Sequence, residues 1–434
     1  METLHYQGDI APNGDLVPCR VIALDKISPK AVAVLRAAEG IEVTDDPGLA
    51  RIALLRGTTK FKVAEHFAKF PQLMYSVRAG VGMTNFDMKE TARAGIATVN
   101  APSASPRAVA QRVIALILAA AGKIVQGTNT MRAGQFLKDD PECEPMDLSE
   151  KTLGIIGYGK IGSATATFAQ PFFRRVLYTD TDSDPKKSNA TREEVLSQSD
   201  VISVNISGET ELLTPERFEQ LIQPHALIVN TARGKVVNGA ALVSHMDQGG
   251  FAALDVYPQE GKSMFDDETT RHITQHPHFI GTPHTAAADE KTQRELGIEG
   301  AGLAVEFAHY GIVNPRNRPG HTLPRVSLQN KPSEDGGDNG GGNGSSEEQP
   351  RTRFVLTHPS VPGVLHTVTG IVAEAGENIT GLNTTDGNIP TEPRLAMTMF
   401  DIPEQQIPKI LAIRGKIEEV LHPHRMRVLA LENK

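Results

Sequence analysis

Short runs of aliphatic and β-branched residues recur before residue 230, at Val21 to Leu24, Ile52 to Leu55, Thr98 to Val99, Leu153 to Ile156, Val176 to Tyr178, Val201 to Val204 and Leu227 to Val229. Helix-like stretches separate them. Strands apolar on both faces that alternate with helices predict parallel α/β layers, a doubly wound fold. Between residues 332 and 350 the pattern stops: PSEDGGDNGGGNGSSEEQP holds no apolar anchor and predicts a flexible linker, set at 326–351. Beyond it RFVLTH, PGVLHTVTGIVAEAG, NITGLNTT, LAMTMFDI, IPKILAIRG and MRVLAL read in turn as β-α-β-β-α-β. That order predicts a ferredoxin-like α+β domain over 352–434, able to fold by itself.

Composition narrows the class. At 434 residues the chain has room for two to four domains. Its 44 basic and 52 acidic side chains leave a net charge of −8, so no nucleic-acid footprint is expected. The apolar run Val113 to Gly122 is about half the ~20 residues that a membrane-spanning helix requires and predicts a buried helix, not a membrane contact. Two cysteines, Cys19 and Cys143, are too few for a disulfide framework or a Cys-rich metal site, and no metal is expected. With no leader-like start, the expected location is cytoplasmic.

At Gly157-Tyr158-Gly159-Lys160-Ile161-Gly162 a buried strand leads into GxGxxG and then into an Ala- and Thr-rich helical stretch. Gly157 suits a tight turn, Gly159 a close backbone approach to a pyrophosphate, and Gly162 close packing of helix on strand, with Lys160 and Ile161 opening the anion-binding helix end. The next strand ends at Asp180, an acid placed to bind a ribose 2′-hydroxyl and to repel a 2′-phosphate, with Asp182 as a near competitor. NAD is therefore the expected cofactor, in preference to NADP.

Downstream residues supply an acid–base and an anion clamp. The strand in LIVNTARGKVV delivers Arg233 past its carboxyl end, where a guanidinium can grip a carboxylate with two donors. AALDVYPQEG carries Asp255 and Glu260, and HFIGTPHTAA carries His284. A carboxylate beside His284 would orient the ring and raise its pKa, the arrangement of a proton relay. His272, His276 and His278 read as structural imidazoles.

Taken together, SVRAGVGMTNFD, GIATVNAPSAS, GYGKIG, NTARGKVVN, AALDVYPQE and TPHTAAADEKTQ resemble the D-isomer-specific 2-hydroxyacid dehydrogenases, from about Arg56 to Pro324. The resemblance implies a catalytic trio of Arg233, Glu260 and His284. It also implies cofactor contacts at Thr231, Ala232 and Asp255, and a substrate contact at Arg56. It further implies a split substrate domain, 1–104 with 286–325, around an NAD-binding domain, 105–285. The substrate is expected to be a small 2-hydroxy acid, 3-phosphoglycerate first, with glycerate or 2-hydroxyglutarate as alternatives. An NAD-responsive corepressor is the non-enzymatic alternative. Lys60, Arg78 and Arg107 are further cations for a phosphate. Departures from the family pattern fall at Met83-Thr84-Asn85, Ser105, Gln111, Gly261 and Asn205-Ile206-Ser207.

The tail, from His358 to Ile379, resembles the ACT regulatory domain that some members carry. His358 and Asn378 stand where serine binds in feedback-inhibited members, with Ser360 replacing an intervening Asn. Serine is thus an expected effector and a homo-oligomer, dimer or tetramer, an expected assembly. A linker this rich in glycine cannot act as a lever, so coupling of the tail to the active site is expected to run through assembly alone.

Overall fold

In the computed structural model the described residues are 4–62, 64–101, 103, 105–138, 140, 143–180, 187–208, 210–261, 263–311, 351–359, 363–379, 381–386, 395–403, 406–421, 423 and 425–433. The Gly-rich segment, Asp182 and Ser360 lie outside them. The chain forms two compact units, Met1–Ser103 with Gln293–Lys434, and Ala104–Thr292.

The first unit opens with β1 (Leu4–Ile10) and β2 (Leu16–Val17). There follow β3 (Cys19–Ala23), β4 (Ile41–Thr44), β5 (Ile52–Leu55), β6 (Tyr75–Arg78) and β7 (Ala97–Asn100), a parallel sheet in the order β4-β3-β5-β6-β7. The order reverses between β3 and β5, and in open α/β sheets ligands bind at the carboxyl ends beside such a reversal. Here the Asp25 carboxylate, carried on a left-handed backbone (φ 61°), accepts from the N–H groups of Arg56, Thr58 and Thr59 and from the Thr59 hydroxyl. Asn85 Nδ2 donates to the carbonyls of Arg56 and Thr59, so the loop after β5 is tied from both sides.

The second unit holds β8 (Thr152–Ile156), β9 (Arg175–Thr179), β10 (Val201–Val204), β11 (Leu227–Asn230), β12 (Phe251–Leu254) and β13 (Phe279–Gly281), all parallel, in the order β13-β12-β11-β10-β8-β9. Its reversal lies between β8 and β10. The apolar run at Val113 is the core of helix Ser105–Ala121, whose Val113, Leu116, Ile117 and Ala120 cover one face of this sheet against Leu153, Ile155, Val201 and Val229. The other face is closed by Val195, Leu196, Leu213, Leu242 and Met246. This is the doubly wound layering expected from the apolar runs.

The tail adds β14 (Arg351–Pro359), β15 (Gly381–Asp386), β16 (Leu395–Ile402) and β17 (Arg425–Asn433), with helices Val364–Glu374 and Ile407–Leu421. The β-α-β-β-α-β order appears as read, in a sheet ordered β15-β16-β14-β17. Two expectations about the tail are corrected. It is not a sheet of its own: β1 pairs antiparallel with β17, from Leu4 opposite Asn433 to Asp9 opposite Leu429, and β2 extends β1. The first strand thus leaves the parallel sheet and completes the tail's sheet. Nor is the tail joined to its unit only through the linker. Arg427 and Asp9, at 0% and 1% side-chain exposure, form a two-pronged pair at 2.6 and 3.1 Å. Arg427 also donates to the carbonyls of Phe307 and Ala308 at 3.1 and 3.0 Å. Arg353, paired with Asp401, donates to the Tyr310 carbonyl at 2.9 Å. Both arginines thereby cap the last turn of helix Glu290–Tyr310, where backbone carbonyls run out of helical partners; the Phe307 carbonyl also takes the Gly311 N–H at 2.8 Å. The Thr357 hydroxyl adds a bond to the Gly95 carbonyl at 3.0 Å. A direct buried route therefore connects the tail to its unit.

The tail's proposed effector contact changes too. His358 is buried, and its Nε2 is bonded to the Thr398 hydroxyl at 2.9 Å, whereas Asn378 is exposed. A histidine spent on its own sheet is not presented to a ligand.

Removing one member of a buried pair strands the other charge, at a cost of about 3–5 kcal/mol. Asp9→Ala is expected to lower stability by about that amount in urea unfolding. A loss below about 1 kcal/mol, the scale of an exposed pair, would contradict the buried role of Asp9.

Candidate active site

The glycine turn sits at the β8/β10 reversal, and its three glycines have three distinct physical causes. Gly157 has φ 94°, and a Cβ there would stand 2.6 Å from the Asn205 carbonyl oxygen. A Cβ on Gly162 would stand 1.9 Å from the Gly157 carbonyl oxygen, so only glycine lets this helix lie so close to its strand. Gly159 is the opposite case: nothing lies within 4 Å of its Cβ position, and it caps helix Lys160–Ala169 with no side-chain hydrogen bond. The helix that starts at Lys160 and Ile161 thus opens on a turn with no capping side chain, at the positive end of a helix dipole. Asp180 follows the last residue of β9, with its N–H bonded to the Ser188 hydroxyl at 3.0 Å.

At the carboxyl ends of the same sheet two buried polar atoms lack a hydrogen-bond partner among the described residues, Asn205 Oδ1 after β10 and Thr231 Oγ1 after β11. Buried polar groups are ordinarily bonded, so their state fits a polar ligand lying along the strand ends. The dinucleotide expected from the sequence therefore suits the residues present: the Gly159 turn for its phosphates, Asp180 for a ribose, and Thr231 with Ala232 along its length.

Past β11 the Asn230 side chain folds the backbone back on itself. Its Oδ1 accepts from the Ala232 N–H at 3.0 Å and its Nδ2 donates to the Arg233 carbonyl at 2.9 Å. The turn presents Arg233, half-buried, with Nη1 bonded to the Ala232 carbonyl. Glu260 and His284 meet as the sequence suggested: His284 Nδ1 donates to Glu260 Oε2 at 2.7 Å. Because the carboxylate fixes the proton on Nδ1, Nε2 is the atom left to exchange protons. The bond to Glu260 raises the His284 pKa above its ordinary 6.5, with partial burial opposing and the Glu260 and Asp255 charges assisting; Arg233 pulls the other way. For Glu260, burial alone would push the carboxyl up. The bond and charge of His284, the Tyr257 N–H and the Arg233 charge together bring it below the usual range.

Asp255 departs from expectation. It is 0% exposed, and both carboxylate oxygens are spent within the protein: the Thr282 hydroxyl and the Thr285 N–H on Oδ1, the Ala286 N–H on Oδ2. It has no surface to offer a nicotinamide. Its role is to hold the turn that carries His284, whose N–H is in addition bonded to the Asp255 carbonyl at 2.9 Å. His284 itself has φ 53°, a left-handed backbone that a residue with a side chain keeps only when its surroundings enforce it.

Arg56 and Arg78 belong to the other compact unit, after β5 and at the end of β6, and Lys60 and Arg107 are exposed. The loop bearing Arg56 is held by Asp25 and Asn85. No sequence signal marked Asp25, because an isolated acid after a strand resembles any surface residue.

A model of the D-isomer specific 2-hydroxyacid dehydrogenase NAD binding domain matches residues 114–286. D-3-phosphoglycerate dehydrogenase 2 of Saccharomyces cerevisiae is 30% identical over 315 residues, 68% of this chain and 62% of the yeast protein, so the chain spans under two thirds of that relative. A glyoxylate reductase of Pyrococcus furiosus is 35% identical over 242 residues, 52% of this chain and 69% of that enzyme. D-3-phosphoglycerate dehydrogenase of Haemophilus influenzae is 27% identical over 403 residues, 91% of this chain and 90% of the relative. Among solved structures, the TT0316 protein of Thermus thermophilus aligns with a TM-score of 0.56 at 26% identity, covering 67% of this chain and 95% of that one. With the glycine turn, the strand-end residues and these relatives in agreement, the chain belongs to the D-isomer specific 2-hydroxyacid dehydrogenases, and its Ala104–Thr292 unit binds NAD.

Proposed function

We propose that the chain oxidises 3-phosphoglycerate to 3-phosphohydroxypyruvate with NAD, the reaction that opens serine biosynthesis. The observation that carries this substrate is the reach of one likeness: the Haemophilus influenzae D-3-phosphoglycerate dehydrogenase aligns over 91% of the chain, through the catalytic region and into the tail. The β-α-β-β-α-β order of the tail supports reading it as an ACT-like regulatory domain. A second reading, reduction of a smaller 2-oxo acid, is supported by the higher identity to the Pyrococcus glyoxylate reductase. Exposed apolar residues Ile124, Met131 and Phe136 support a homo-oligomer.

Bound NAD supplies the acceptor for the C2 hydride. Arg233 holds the substrate carboxylate with its planar fork and so fixes which C2 face is presented. His284 Nε2 takes the C2 hydroxyl proton as that carbon loses hydride and becomes a carbonyl. Glu260 stabilises the imidazolium so formed, and in the reverse direction the same proton returns to the oxygen.

Assay of NADH formation against 3-phosphoglycerate, glycerate, 2-hydroxyglutarate and glycolate decides between the two readings. A higher kcat/KM for glycolate would favour the second. In either case His284→Ala is expected to retain NADH binding and to lose about 10²–10⁴-fold in turnover. Oxidation requires neutral Nε2, so the rate should fall as pH drops through a pKa above 6.5; a rate flat from pH 6 to 9 would remove His284 as the base. Arg233→Lys should raise KM and lower kcat, because an ammonium lacks the two-donor fork, and normal values for both would rule out the clamp. Asp180→Ala should narrow the preference for NAD over NADP, measured as the ratio of kcat/KM; an unchanged ratio would assign the preference elsewhere.

A further inference from the structure

One residue touches all three segments of the proposed trio. Tyr257 follows β12, and its carbonyl oxygen stands 1.7 Å from the Cβ position of Gly234, so the turn after Arg233 closes directly on this peptide. Its backbone N–H donates to Glu260 Oε1 at 3.3 Å, the oxygen that His284 does not use. Its phenol donates to the Thr282 carbonyl at 3.1 Å, in the turn that carries His284. That same carbonyl accepts from the His284 N–H at 3.0 Å.

The phenol has a prepared place. Its oxygen would be 2.4 Å from a Cβ on Gly281, so glycine at that position leaves the room it occupies. Burial, then the charges of Asp255 and Glu260, push the phenol pKa up to about 12, and the hydroxyl remains a donor throughout the working range.

We propose that Tyr257 is a positioning residue that sets the distance between Glu260 and His284, its backbone N–H acting on the acid and its phenol on the histidine turn. This rests on the proposed role of His284 as proton carrier, which the Asp255 carboxylate alone does not secure. Asp255 grips the turn from its buried side, through Thr282, Thr285 and Ala286. Tyr257 grips both the turn and Glu260. Without the phenol, the Thr282 carbonyl keeps only a bond that the His284 N–H already shares with Asp255. The left-handed backbone at His284 then has one restraint fewer, and Nδ1 drifts from Glu260.

Tyr257→Phe removes one oxygen and keeps the ring beside Phe279, so the fold is retained; an unchanged Tm checks this. The titration of the His284 ring, followed by NMR of protein with ¹⁵N-labelled histidine, reads the geometry without turnover. The charged groups facing that ring are Glu260, Asp255 and Arg233, and all remain in the variant. A looser bond to Glu260 lowers the His284 pKa. The expected result is a lower His284 pKa, a kcat about three- to tenfold lower with unchanged NADH affinity, and an acid limb moved to lower pH. An unmoved His284 titration overturns the inference, whether kcat changes or not. A shifted titration in protein that turns over no 2-hydroxy acid keeps the positioning role and removes the proposed activity instead.

Discussion

A buried carboxylate with no cationic partner in hydrogen-bond contact among the described residues organises the strand-end edge that carries Glu260 and His284. Asp255 follows the last residue of β12, where a parallel sheet directs its strand ends toward ligands, yet it is buried and takes bonds from two backbone N–H groups and one hydroxyl. Charged hydrogen bonds of this kind are among the stronger ones available inside a protein. They hold a turn that would otherwise relax, since His284 occupies a backbone region costly for a side-chain-bearing residue. The orientation of the imidazole, the single protonated Nδ1 and the bond to Glu260 all follow from that turn.

Much of this was legible in the sequence because its causes are local. Glycines 157, 159 and 162 declare a strand–turn–helix, and the structure shows the left-handed turn at Gly157, the close helix–strand approach at Gly162 and open space beside Gly159. Arg233, Glu260 and His284 could be picked out because each stands just past an apolar run, where parallel strands expose their ends. Asp255 was misread for the same reason: next to a strand end, a residue facing a ligand and one facing the turn beneath it have the same sequence neighbourhood. Only burial separates them. Tyr257 and Asp25 left no signal, since what they contribute is contact with segments distant along the chain.

The tail divides along the same line. Its six elements were readable from periodicity, whereas its partner strand was not, because residues 4–10 form a short mixed run whose pairing target is more than four hundred residues away. The Gly-rich composition of residues 332–350 said little about mechanics. Two arginines seated on the last turn of helix Glu290–Tyr310 make the tail part of its compact unit, and the covalent connection is only one of several links between them.

The pairing of β1 with β17 also sets an order of events during synthesis. Asp9 leaves the ribosome 418 residues ahead of Arg427. At ~5–20 residues per second, that interval is tens of seconds. Throughout it, a strand with an unpaired edge and an acid destined for full burial must stay in water or in a chaperone's keeping. The parallel sheets and their glycine turn can form as they emerge; the antiparallel sheet that joins β1 to β17 cannot. Formation of that sheet is therefore timed by β17, and β1 is held in waiting until then.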